Sequence, residues 1–118
     1  MESASRTWSG LNPGYTFPRQ RQEALDAPTV QRTVANYFHV TVADLRGPKR
    51  HRAISVPRQI AMYLMRQLCD LSYPEIGRRF GGMNHSTVIT ACRKTKARIQ
   101  KDARIRQAVA DLERMLQA

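Results

Sequence analysis

Acidic residues are scarce in this sequence. Nine Asp and Glu stand against 20 Lys and Arg, a formal charge of +11 on 118 residues. Such an imbalance points to an anionic partner such as nucleic acid or a lipid surface, and argues only weakly against a monomeric small-metabolite enzyme. Long apolar runs are also missing. No stretch approaches the roughly 18 residues that a membrane-spanning helix needs, and no apolar segment follows a basic start, so no secretory signal is expected. The two cysteines, Cys69 and Cys92, lie far apart in helix-like patterns, which favours two buried reduced thiols over a disulfide. No segment alternates with period two between hairpin turns, so strands are not expected. His39, His51 and His85, taken with the two cysteines, lack the close ligand pairs of a zinc site, and no metal or other cofactor is expected. Nor does any Ser-His-Asp or Cys-His arrangement suggest itself; the chain reads as a non-enzyme.

What is present suits one domain. Hydrophobic residues make up 42% of the chain, an ordinary fraction for a globular core. The chain divides near Pro28. Residues 1–27 carry Arg6, Arg19 and Arg21 balanced by Glu2, Glu23 and Asp26, with scattered Ser, Gly and Pro and no apolar period. They read as a disordered tail in which Trp8, Tyr15 and Phe17 are loose aromatics. Residues 28–118 hold all of the net charge, 17 basic residues against 6 acidic, and read as helices throughout.

Val30, Val34, Tyr37 and Phe38 recur at helical spacing and predict a helix from about Thr29 to Phe38. Thr41 is placed to cap a short turn, Val42 to Leu45. The pair Gly47-Pro48 breaks the chain before a basic run, Lys49 to Arg52. Ser55 is expected to cap the next helix with Pro57 in its first turn. Nine of the twelve residues from Ile60 to Leu71 are apolar, the composition of a central buried helix. Ser72 and Glu75 have capping-box spacing, with Pro74 in the first turn of a short helix that Gly81-Gly82 end after Phe80. Asn84 then caps a longer helix, His85 to about Gln100, with Val88, Ala91, Cys92, Thr95 and Ile99 on its inner stripe. Asp102 caps a last helix whose inner face is Ile105, Val109, Leu112 and Leu116.

A short helix, a glycine turn and a longer helix with a polar tip form the pattern of a helix-turn-helix. The second helix of such a unit sets its N-terminal residues against base edges in the DNA major groove. Here that end carries Asn84, His85, Ser86 and Thr87, all able to hydrogen-bond, and Arg93, Lys94, Lys96 and Arg98 follow as candidate phosphate contacts. Arg78 and Arg79 suit phosphates or a solvated face equally. An ordinary helical hairpin with a basic face would share most of this pattern.

The stretches PRQIAMYLMRQL and LSYPEIGRRFGGMNHSTVITACRK resemble the C-terminal DNA-binding domain of the bacterial replication initiator DnaA. The likeness extends back through TVANYFHVTVADL and covers about residues 29–116. It implies an all-α, Trp-repressor-like helical bundle with a helix-turn-helix that reads a short asymmetric box in double-stranded DNA, and a cytoplasmic, nucleoid-associated protein. It also implies a basic loop that enters the adjacent minor groove: Arg50 falls at that position, flanked by Lys49 and Arg52. Arg58 and Gln59 match the family's Arg-Gln contact pair, Tyr73 and Pro74 its backbone contact at the start of the short helix, and His85, Ser86 and Thr87 its His-Thr-Thr positions. Met83 and Asn84 depart from the usual Arg-Asp. Asn84 can accept through its carbonyl as the acid does or turn its amide toward adenine, so an altered box preference is expected.

The chain holds no GxxxxGK[ST] loop, so the reading is a free-standing box reader without ATPase activity, regulating replication initiation or transcription. The alternatives are a protein-interaction module that keeps the fold, and a nonspecific binder of nucleic acid or acidic lipid.

Overall fold

The computed structural model describes residues 25–117, and the expected tail falls almost wholly outside them. Six helices follow in order: α1 (Ala27–Tyr37), α2 (Val42–Arg46), α3 (Arg52–Leu68), α4 (Tyr73–Arg79), α5 (His85–Lys101) and α6 (Ala103–Gln117). No strand occurs among the described residues. The all-α bundle is therefore as expected.

Short polar side chains set most of the helix starts. Asp26 caps α1 by accepting from the Thr29 N–H at 3.0 Å. Thr41 and Asp44 form a capping box on α2, as Ser72 and Glu75 do on α4. Asn84 caps α5, and the Asp102 carboxylate accepts from Arg104 N at the start of α6.

Two boundaries differ from the sequence reading. The first helix opens two residues early, because Asp26 is the better cap and Pro28 is tolerated in a first turn. The central helix opens at Arg52 rather than after Ser55. The amides of Ile54 and Ser55 both donate to the His51 carbonyl at 2.8 Å, and Ile54 and Val56 bury their side chains. Pro57 therefore lies in the second turn, where it has no N–H to donate to the carbonyl of Ala53. At its far end α3 stops at Leu68, where Asp70 turns the chain with φ 57°.

Helix α3 is the centre. It packs against α1, α2, α4 and α5, and Ile60, Ala61, Met62, Leu64 and Met65 are buried along it. Val30 and Val34 of α1, Leu45 of α2, Ile76 of α4, Phe80 beyond it, Val88 of α5 and Leu112 of α6 pack with them in the core. Tyr37 joins α1 to α6 by donating to Asp111 Oδ2 at 2.8 Å. Both cysteines carry free thiols, Cys92 buried and Cys69 half-buried.

Candidate nucleic-acid interface

The angle between α4 and α5 is set by backbone contact. A Cβ on Gly77 would lie 2.1 Å from the Met83 carbonyl oxygen, so only glycine lets the chain pass there. The Gly77 carbonyl accepts from the amides of Phe80, Gly82 and Met83 at 2.9–3.1 Å and gathers the turn around one atom. Gly81 and Gly82 take φ of 76° and 81°, and a Cβ on Gly81 would also meet the Arg46 carbonyl oxygen at 2.7 Å. The turn is thereby fixed to α2 as well as to α5.

This turn leaves the start of α5 open. Asn84, His85, Ser86 and Thr87 are exposed, while Val88, Ala91, Cys92 and Thr95 are buried beneath them. The Asn84 side-chain oxygen accepts from the Ser86 N–H at 2.8 Å. One lone pair of that oxygen is thereby engaged within the chain, and the side-chain NH2 belongs to an exposed residue. Thr90, Arg93, Lys94 and Lys96 continue the exposed side of the helix.

The basic loop runs between α2 and α3. Arg50 and Arg52 are exposed, while Lys49 reaches back to Asp44 at 2.9 Å. Beneath the loop lies Arg58, 6% exposed. Its Nε donates to the Leu45 carbonyl at 2.7 Å, and its Nη2 donates to the carbonyls of Asp44 at 3.1 Å and Gly47 at 2.9 Å. The guanidinium thus satisfies the C-terminal carbonyls of α2 and carries a favourable charge at that negative helix end. Burial, with the Arg50 charge behind it, pulls the Arg58 pKa down from its ordinary value.

The remaining expected residues divide. Gln59 is half-buried, and its side-chain oxygen accepts from Arg98 Nη1; this contact draws Arg98 onto the protein. Tyr73 is half-buried under the Arg66 guanidinium, 4.5 Å from the ring centroid, while Pro74 is exposed at the second position of α4. Arg78 and Arg79 are exposed at the end of α4. With Arg32, Arg46 and Glu75 they line a groove of about 460 Å³. Gln31 escaped the sequence reading: it is buried and donates to the Arg79 carbonyl at 2.7 Å, tying α1 to the end of α4. No group of three or more His, Cys, Asp or Glu suited to a metal ion occurs among the described residues. Burial raises the pKa of both thiols, which keeps them protonated and poorly nucleophilic.

Comparison with known proteins agrees with this geometry. A family model described as the bacterial DnaA protein helix-turn-helix matches residues 27–95. The chromosomal replication initiator protein DnaA of Lactobacillus delbrueckii subsp. bulgaricus is 50% identical over 98 residues, which cover 83% of this chain and 22% of that protein. Its counterpart in Lactiplantibacillus plantarum is 50% identical over 91 residues, 77% of this chain and 20% of that protein. The chain thus spans about a fifth of the length of these curated relatives. Among solved structures, a DNA replication initiation factor superposes with a TM-score of 0.70 at 34% identity, over 84% of this chain and 30% of that one. AMPPCP-bound DnaA from Aquifex aeolicus follows with a TM-score of 0.65 at 33% identity, over 83% and 29%.

Proposed function

The chain belongs to the bacterial DnaA helix-turn-helix family, and from that premise we propose that it binds double-stranded DNA at a DnaA-type box without catalysing a reaction. The first turn of α5 enters the major groove and sets Asn84, His85, Ser86 and Thr87 against base edges and phosphates. The loop of Lys49, Arg50 and Arg52 lies against the neighbouring minor groove, where a narrow A·T-rich stretch attracts an inserted arginine. Pro74 and Tyr73 bring the start of α4 to the backbone, and Arg93 and Lys94 meet phosphates farther along α5.

The observation that carries this reading is the open first turn of α5. Four hydrogen-bonding side chains stand exposed there on a helix whose buried stripe starts at Val88. Such polarity and exposure suit a groove better than a protein core. Asn84 alters what is read. With its oxygen engaged by Ser86 N, it offers donors to a base acceptor where the family's acid accepts from a cytosine amino group. The preferred box therefore differs from the family's at that position.

Occupying a box requires only these contacts, and they need no nucleotide. The protein so placed excludes any other reader of the same site in proportion to concentration and affinity, and thereby regulates initiation or transcription locally.

A labelled duplex carrying a DnaA box, titrated against a scrambled duplex at two salt concentrations, tests the reading. Preference for the box supports it. Equal, strongly salt-dependent binding to both duplexes would leave a nonspecific polyanion binder. No binding to either would leave a protein-interaction module. Selection from a random duplex pool then defines the box, and a shift confined to the base pair facing Asn84 is the expected departure.

A further inference from the structure

Arg58 stands next to Gln59 in the sequence, yet it is turned the other way, into the protein. Its guanidinium is held by three backbone carbonyls, those of Asp44, Leu45 and Gly47. These are the last carbonyls of α2 and its cap, the point from which the basic loop departs. Gly47 closes α2 in an extended conformation, with its own amide donating to Asp44 O at 3.3 Å. The end of α2 is therefore set by Arg58 on one side and by the turn glycine Gly81 on the other, where the Arg46 carbonyl lies under the missing Cβ.

Resting on the DNA-binding reading above, we infer that Arg58 is a positioning residue: it acts on DNA through the basic loop, by fastening the α2 end from which Arg50 is presented, and makes no groove contact of its own. A buried arginine donating to several carbonyls is a rigid fork, and lysine cannot reproduce it, having one charged nitrogen on a flexible stem. One side chain of α3 then links the loop to the end of α2, whose Arg46 carbonyl in turn lies against Gly81 of the helix-turn-helix turn. The two DNA-reading elements are held in register through the core and do not depend on the DNA to order them.

The test is a double-mutant cycle on a box duplex with the full chain, using Arg50→Ala, Arg58→Met and the two together. Methionine keeps the length and apolar packing of the buried stem, and thermal melting establishes that each variant is folded. If Arg58 acts through the loop, Arg58→Met weakens binding about as much as Arg50→Ala, on the order of tenfold or more. It then adds less than about twofold in the Arg50→Ala background. Losses that multiply, with the log–log salt slope falling by about 0.9 for Arg58→Met in the Arg50→Ala background, would make Arg58 a phosphate contact and overturn the inference. Arg58→Lys, which keeps the charge, should rescue binding only in part; full rescue would also overturn it.

Failure of the DNA-binding reading looks different. In that case Arg50→Ala leaves affinity unchanged. The positioning role is then decided by amide hydrogen exchange without DNA, where Arg58→Met should speed exchange in residues 46–51 and spare α5 and α6. Unchanged exchange in that segment would end the proposal.

Discussion

Thr95 is a residue whose chemistry and surroundings disagree. It lies wholly buried on the inner stripe of α5, and its hydroxyl has no hydrogen-bond partner. A buried polar group left unpaired costs about 1–3 kcal/mol of desolvation. Valine has nearly the same shape and the same branching at Cβ, so Thr95→Val removes that cost without a cavity. We expect the melting temperature to rise by several degrees, since about 1 kcal/mol moves a domain of this size by roughly 4–8 °C. A fall in a differential scanning measurement would show that the hydroxyl is paired after all. The sequence placed Thr95 on the inner stripe correctly, because periodicity reports burial. The burial of Arg58 was not legible in the same way: arginine is so seldom buried that only its neighbours in space reveal that it is. Asn84 lies between these cases. Its capping role was plain from position, and the Ser86 contact identifies the atom that performs it.

At the level of the elements, helix ends were legible wherever a side chain makes the end. Thr41, Ser72, Asn84 and Asp102 all cap as their spacing indicates. The start of α3 was hidden because His51 makes no side-chain cap, while Ser55 and Pro57 imitate a start one turn later. The hydrogen-bonded carboxylates make the fold acid-sensitive in a defined direction. The Ser72 amide holds Glu75 below its ordinary 4.5, Lys49 holds Asp44 below 3.8, and hydrogen bonds from Thr29 and Tyr37 do the same for Asp26 and Asp111. Groups depressed on folding contribute stability above their unfolded pKa and lose it as pH falls through the folded value. The melting temperature should therefore be level above about pH 5 and fall progressively below it. Glu75→Gln keeps a capping-box acceptor that does not titrate, so its fall should be shallower. Parallel curves for the two proteins would show that Glu75 does not contribute. The turn between α4 and α5 allows a sharper test. Gly77→Ala drives a methyl against the Met83 carbonyl and should destabilise by about 1–3 kcal/mol, the scale of overpacking. Because the turn aims α5, box affinity should fall in the fraction that stays folded, while nonspecific binding at low salt persists. Wild-type stability and affinity in this variant would mean that the turn relaxes without cost.

For the molecule as a whole, charge and fold were both legible, and what the sequence could not supply was the division of labour among the cations. The net charge of +11 indicates an anionic partner without saying which cations meet it. In the structure, Arg58 is buried under α2, Arg98 is drawn to Gln59 and Lys49 to Asp44, whereas Arg93 and Lys94 stand exposed on α5. This division predicts two kinds of salt response. A cation that meets a phosphate releases counterions and contributes about 0.9 to the magnitude of the log–log slope of affinity against salt. Arg93→Gln and Lys94→Gln should each flatten the slope by about one and weaken box and scrambled duplexes alike. Arg98→Gln leaves the Gln59 oxygen without its donor; it should lower the melting temperature and change the slope by much less than one. Titrations at several salt concentrations with both duplexes decide the matter. A full unit lost at Arg98 and none at Arg93 or Lys94 would move the phosphate path from the exposed side of α5 to the side that faces α3.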